Sequence, residues 1–173
     1  LRGKYNMGLE ASYRNISYGN LKKLKSVYGI EDTCPVEVES REQEPDIVLD
    51  IGKLWELLHF VFTGEGRNKT TGTSPLGMAV MGEVVVEGSS ELLMYTTKSN
   101  IKDIVSALEA FDMEEALKKL NLEACITANL YPGIRSQADL DGIKPELRTC
   151  FDAMKAFYRK ILEADTNVII TIS

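Results

Sequence analysis

The chain is organised around one stretch, LWELLHFVFTG, which spans residues 54–64. It contains the single Trp and the single His of the protein, Trp55 and His59, among mostly apolar neighbours. An apolar run of this kind that closes on a glycine is typical of a buried helix, and Gly64 provides the stop. We therefore predict a central helix over residues 47–63.

Strand patterns occur on both sides of this helix. Residues 9–16 alternate apolar and polar side chains in part, which predicts a strand, and residues 17–28 carry apolar side chains at helical spacing. Further strands are predicted over residues 83–87, 92–97 and 167–172. The last of these is almost uniformly β-branched, so we expect it to be buried on both faces of a sheet.

Helices are predicted through the rest of the chain. Ser74-Pro75 is typical of an N-cap followed by proline at the first helical position, and Gly82 ends the short helix that follows. Lys144-Pro145 is expected to open the longest helix. The remaining predicted helices cover residues 99–111, 112–120 and 122–129, and the longest one ends near residue 164.

Together these elements predict one domain over residues 7–173. Its fold class is α/β (or α+β), with helices flanking a small mixed β-sheet in a three-layer αβα-like sandwich. Residues 1–6 precede a natural start at Met7-Gly8, and we expect them to be an expression remnant.

The composition narrows the class of protein. The chain has 173 residues and a formal net charge of −6, which argues against a basic nucleic-acid surface and against charge-driven binding to anionic membranes. No apolar run approaches the ~18 residues of a membrane helix, and the N-terminus lacks a signal-peptide pattern. The three cysteines are widely spaced, which favours reduced thiols in a cytoplasmic protein. We predict no cofactor.

Several short motifs follow one another in a definite order. They are Trp55-x-x-Leu58-His59 with Thr63-Gly64, Ser74-Pro75-Leu76 with Ala79-Val80-x-Gly82-Glu83, Tyr131-Pro132-Gly133, and Phe157-Tyr158-Arg159 on a long helix before a closing strand. In this order and spacing the chain resembles the YfbM-like family, bacterial proteins with a domain of unknown function (DUF1877). The resemblance covers nearly the whole chain from Met7. It implies a three-layer helix–sheet–helix domain in a bacterial cytoplasm, and it implies no activity.

His59 is the residue with the sharpest alternatives. On a helix it shares a face with Trp55, four residues earlier. One interpretation is a core histidine with one or two hydrogen bonds. The other is a general acid or base, or a hydrogen-bond donor to a ligand, in a cleft lined by Trp55. A single histidine cannot form a multi-histidine metal site, and we predict no metal.

Glu83 and Tyr131 complete the set of candidate ligand-binding residues. Glu83 lies where a helix is expected to pass into a strand, and a contact with His59 would raise the imidazole pKa. The alternative is an ordinary solvated or capping glutamate. Tyr131 is either the anchored aromatic of a sharp turn or a phenol in the same cleft.

The glycine- and threonine-rich loop over residues 64–72 does not match a phosphate-binding loop. Asn68 stands where a glycine should precede Lys69-Thr70, and the loop leaves a helix rather than a strand.

Two classes of function stay open on these grounds. The first is a non-enzymatic binding or interaction module whose acidic surface suits an unknown basic partner protein. The second is an enzyme or small-molecule binder that uses His59 as acid or base in a cleft around Trp55 and Glu83. The sequence does not give the oligomeric state, the substrate or the partner.

Overall fold

The strand patterns of the sequence assemble into one open sheet. The computed structural model describes residues 8–32, 44–65 and 74–173. In these residues the strands are β1 (Ala11–Ile16), β2 (Val48–Gly52), β3 (Val84–Val85), β4 (Leu92–Thr96) and β5 (Asn167–Ile172). Their order across the sheet is β2-β1-β5-β4-β3. The strands from the two ends of the chain therefore lie side by side, and β5 is the central strand, between β1 and β4.

Most of the helices lie close to their predicted bounds, and two begin elsewhere. In the described residues they are α1 (Tyr18–Val27), α2 (Trp55–Thr63), α3 (Pro75–Met81), α4 (Ile101–Ala110), α5 (Met113–Lys119), α6 (Leu122–Ala128) and α7 (Gln137–Ala164). Ser74 caps α3 by accepting a hydrogen bond from the backbone N–H of Gly77, with Pro75 at the first helical position. A short 3₁₀ turn, Lys98–Asn100, precedes α4.

The two faces of the sheet carry helical layers of different size. One face packs against α2 to α7 in a large core, where Met94, Leu147 and Met154 are fully buried. The opposite face holds a small cluster in which Leu21 of α1 meets Tyr95 of β4. The α/β class and the layered arrangement of the prediction are thus confirmed.

The predicted central helix over residues 47–63 is wrong in its first half. Residues 48–52 form β2, and α2 begins only at Trp55. Leu49 and Ile51 are buried while Val48 and Asp50 are exposed, which is the period of a strand. Gly52 then adopts a φ of +54°, which a continuous helix does not allow.

Strand direction and the start of the last helix also differ from expectation. All four strand pairings are antiparallel, so the sheet is not mixed. Helix α7 begins at Gln137, where Ser136 and Asp139 form a capping box, and Pro145 lies inside it. The missing N–H of Pro145 affects the carbonyl of Asp141, an exposed residue, where water can replace the helical donor. Residues 1–7, 33–43 and 66–73, including most of the loop over residues 64–72, lie outside the described part.

The junction after α3 is held by two buried phenols. Tyr13 donates its hydroxyl to the carbonyl of Val80 at 2.8 Å, and Tyr158 donates to the carbonyl of Ala79 at 2.6 Å. Both tyrosines are completely buried, and burial raises the pKa of each phenol. The last carbonyls of a helix lack intrahelical donors, so these phenols satisfy groups that would otherwise be unpaired.

Candidate functional site

Trp55 begins α2 and is fixed there by its only polar atom. The indole N–H donates to the carbonyl of Leu9 at 3.0 Å, and the residue is 6% exposed. Because this N–H is the single donor of the side chain, Trp55 uses its hydrogen-bonding capacity inside the fold. The contact ties the start of the sheet to the start of α2.

Tyr131 lies at the same end of α2. Its backbone N–H donates to Oε2 of Glu56 at 3.2 Å, and the bond between Tyr131 and Pro132 is cis. The Tyr131 phenol lies beside Gly8. Glu56 is buried in the first turn of α2, where the helix dipole favours a carboxylate. Glu56 was not among the predicted site residues, although an acid at the start of an apolar helix was the available signal.

His59 is a buried residue near the C-terminal half of α2, with 6% of its surface exposed. Burial lowers its pKa below the ordinary 6.5, and a hydrogen bond with the backbone of Glu65 and the Glu65 carboxylate act less strongly in the opposite direction. Thr63 adds to this turn, since its hydroxyl donates to the His59 carbonyl at 2.8 Å and accepts from the Glu65 N–H at 3.2 Å. The hydrogen bond with Glu65 thus connects His59 to the residues that follow α2.

Glu83 joins the end of α3 to the end of β4. Its Oε2 accepts hydrogen bonds from the backbone N–H of Thr97 at 3.0 Å and from the Thr97 hydroxyl at 2.9 Å. Its own backbone N–H donates to the carbonyl of Tyr95 at 3.0 Å. The half-buried carboxylate therefore closes the strand end, in the manner of a cap.

The four candidate residues make their hydrogen bonds with different partners. Trp55 and Tyr131 both lie against residues 8–9, and His59 lies one helical turn further along α2. In the described part of the chain Glu83 bonds Thr97, and the carboxylate that acts on the His59 pKa is that of Glu65. The predicted contact between Glu83 and His59 is not observed.

In the described residues, neither the cysteine thiols nor any group of metal-ligand side chains forms a further candidate site. Burial raises the pKa of the Cys125 and Cys150 thiols, which keeps both protonated and poorly nucleophilic. Across residues 8–32, 44–65 and 74–173, no three His, Cys, Asp or Glu side chains are grouped as metal ligands. None of the helices in these ranges combines the length and hydropathy needed to cross a bilayer.

Two surface depressions lie elsewhere and include none of the four residues. The first, which we call the polar cleft, has a volume of about 630 Å³ and lies between the end of β1, the first turns of α1 and residues 44–46. Its polar side chains include those of Arg14, Asn15, Asn20, Lys23, Glu44 and Asp46.

The second depression runs between β2 and α7, and we call it the edge groove. Its volume is about 610 Å³. The residues that line it include Val48, Leu49, Ala153, Ala156, Phe157 and Lys160.

Comparison with known proteins places this architecture in a family. The profile of the family described as "Domain of unknown function (DUF1877)" matches residues 7–171. Protein YfbM of Escherichia coli (strain K12) is 27% identical over 126 residues, which is 72% of this chain and 75% of that protein. The crystal structure of YfbM from Escherichia coli, a protein of unknown function, superposes with a TM-score of 0.73 at 23% identity, covering 95% of this chain and 99% of the other. On the family match the chain belongs to DUF1877, as its motifs indicated.

Proposed function

We propose that the protein is a non-enzymatic binding module of the bacterial cytoplasm that recognises a partner protein through its surface. The observation that carries this proposal is that the candidate acid–base groups make hydrogen bonds within the fold. His59 is buried against Glu65, and Glu83 is bonded twice to Thr97. A general acid or base has to reach a proton of its substrate, which these positions do not favour.

The charge of the chain supports the same proposal. A formal net charge of −6 creates a field that attracts basic partners and accelerates their association. The family and its relative carry no assigned activity in their descriptions, so the proposal rests on the residues of this chain.

The substitution His59→Gln tests the proposal against the enzyme hypothesis. A histidine that fastens the fold predicts a loss of about 1–3 kcal/mol in the free energy of unfolding, because a buried partner is left unsatisfied. It also predicts no thermal shift with a panel of metabolites for either protein. Chemical denaturation and thermal melting measure the two quantities, with Lys118→Gln as an exposed control.

The enzyme hypothesis makes the opposite forecast for the same two proteins. A histidine poised for chemistry is often replaceable without loss of stability or even with a gain. The wild type would then shift with one metabolite, and His59→Gln would lose that shift. Such a pair of results would overturn the proposal of a non-enzymatic module.

The polar cleft favours a second candidate function, the binding of a small anionic molecule. Lys23 and the side-chain amide of Asn20 face this cleft without a protein partner in the described residues, whereas Glu44 accepts from Thr166 at 2.9 Å. If this candidate is correct, a metabolite shift of the wild type persists in His59→Gln and disappears in Lys23→Ala. Thermal melting with the same panel separates the two functions.

A further inference from the structure

Strand β2 forms one rim of the sheet, and its outward backbone groups can be assigned. The N–H of Asn15 donates to the carbonyl of Ile47 at 3.1 Å, across the register that pairs β1 with β2. Hydrogen-bonded pairs alternate along an antiparallel ladder, so Leu49 also turns its N–H and C=O toward β1. The N–H and C=O groups of Val48 and Asp50 therefore point away from the sheet.

These outward groups are available to another chain. In the described residues neither Val48 nor Asp50 has a backbone partner on the outer side of β2. Natural proteins block such rims with lysine, proline, bulges or very short strands. The opposite rim follows this rule, since β3 has only two residues. Strand β2 has five residues and presents Val48 at 48% exposure.

The edge groove provides space beside this rim. Helix α7 packs against the same face of the sheet as Leu49, and its exposed residues on the groove side include Ala153 and Ala156. Their methyl groups leave a volume of about 610 Å³ next to β2. A strand added to β2 would direct every second side chain into this volume.

The acidic residues of β2 argue against a second copy of this chain as the occupant. Asp46 and Asp50 are exposed and alternate with Val48 along the outer face. Any register that joins the outward groups of two β2 strands places carboxylates of the two copies opposite each other or one diagonal step apart. Like charges in these positions destabilise a strand pair.

The same carboxylates favour a basic occupant. Arg14 contacts Asp46 at 3.7 Å with both side chains exposed, so this ion pair is screened by solvent, and Asp50 has no ion pair in the described residues. Lys160 lines the inner side of the groove, which directs basic residues of the occupant to the outer face.

We propose that β2 and the edge groove bind an extended segment of a partner protein as an added strand. Its apolar side chains alternate with Lys or Arg, the apolar ones facing Ala153 and Ala156 and the basic ones facing Asp50. Backbone hydrogen bonds to Val48 and Asp50 supply affinity, and the groove supplies selectivity, as in other cases of strand addition. This inference rests on the proposed function of a binding module and names the chemistry of its partner.

A fluorescent, end-blocked peptide in which Val alternates with Lys is the probe. We expect saturable binding by fluorescence anisotropy, and no binding of a peptide with the same composition arranged as a Val block and a Lys block. Ala156→Phe fills the groove and should weaken binding at least about tenfold, a factor that corresponds to 1.4 kcal/mol. Ala138→Phe, at an exposed position in the first turn of α7, is the matched control and should bind like the wild type.

The charge of the rim is tested separately. Asp50→Lys should weaken binding of the alternating peptide several-fold, with the difference shrinking at high salt, whereas Glu91→Lys at another exposed site should have little effect. Circular dichroism confirms that each variant is folded before its affinity is compared.

Three results would overturn the inference. They are equal binding by Ala156→Phe and Ala138→Phe, no binding of the alternating peptide to the folded wild type, and a wild-type dimer in sedimentation that Ala156→Phe dissociates. None of them affects the proposed function of a binding module, which fails instead when a metabolite shift of the wild type is lost in His59→Gln.

Discussion

The junction after α3 and the rim strand β2 both leave backbone groups without regular partners, and the fold treats them in opposite ways. At the junction, the carbonyls of Ala79 and Val80 receive hydroxyl donors from completely buried tyrosines. At the rim, the outward groups of Val48 and Asp50 are left to solvent. An unsatisfied polar group costs free energy only where water is excluded, so the interior junction carries stability and the rim is available for recognition.

The largest effect is expected from Gly82→Ala at the junction. Gly82 has a φ of +74°, and a Cβ there would lie 2.9 Å from Cβ of Met94 and 3.3 Å from the carbonyl oxygen of Tyr95. Backbone strain and overlap together should remove about 3 kcal/mol or more from the free energy of unfolding. Chemical denaturation measures this loss.

Gly29→Ala is the control for that prediction. Gly29 also has a positive φ, of +67°, but nothing lies within 4 Å of its added Cβ. Only the strain of about 1–2 kcal/mol should appear. Equal losses in the two variants would show that the close packing behind Gly82 contributes nothing.

Tyr158→Phe should have the next largest effect. The variant keeps the ring but removes the donor to the Ala79 carbonyl, which then stays buried without this partner. We expect a loss of about 1–3 kcal/mol in the free energy of unfolding by urea titration. Tyr28→Phe, a partly exposed tyrosine, should change it by less than about 0.5 kcal/mol. A similar change in the free energy of unfolding for both variants would show that the hydroxyl of Tyr158 does not stabilise the junction.

Titration of His59 should have a smaller effect on the free energy of unfolding, and this effect should appear only at acidic pH. Burial lowers its pKa, so between the folded-state pKa and the ordinary value of 6.5 the unfolded chain binds a proton that the folded chain does not. The free energy of unfolding should therefore decrease as the pH falls through this window, and titration of His59 should add no pH dependence above it. Urea titrations at a series of pH values measure the slope, which should be shallower in His59→Gln. An identical slope in that variant would contradict a buried neutral imidazole.

The smallest effect on stability is expected from Val48→Lys on the rim. The side chain is 48% exposed, so the free energy of unfolding should change by less than about 0.5 kcal/mol. Binding of the alternating Val and Lys peptide should nevertheless be lost, because the new lysine repels its basic face. Val27→Lys, at a position 78% exposed on α1, is the control for both measurements. A large loss of stability in Val48→Lys would show that the rim, like the junction, contributes to the stability of the fold.

Local signals were sufficient for much of this fold. Ser74-Pro75 specified the start of α3 because capping depends on neighbours within one helical turn. The β-branched run of β5 specified a central strand, although only one of its faces is fully buried, because Ile169 and Thr171 are half-buried. The layered α/β class followed from the order of such segments.

The predictions that differ from the structure concern segments whose conformation depends on residues far away in the sequence. Ile47, Leu49 and Ile51 alternate as in a strand, but the apolar Val48 between them made the run look uniform, and pairing with β1 selects the outcome. The hydrogen-bond partners of the candidate site residues divide in the same way. Burial of Trp55 was readable from its apolar neighbours, whereas the bond between Glu83 and Thr97 depends on how β3 pairs with β4.

The central position of β5 has a consequence for how the chain reaches its folded state. Among the described strands, β1 and β2 form one pair, β3 and β4 form another, and β5 pairs with both β1 and β4. In a ribosome-bound chain that has not yet released residues 167–172, the edges of β1 and β4 that pair with β5 have no strand partner. We expect such a chain to aggregate more readily than one that has released these six residues, because β5 covers both edges when it joins the sheet.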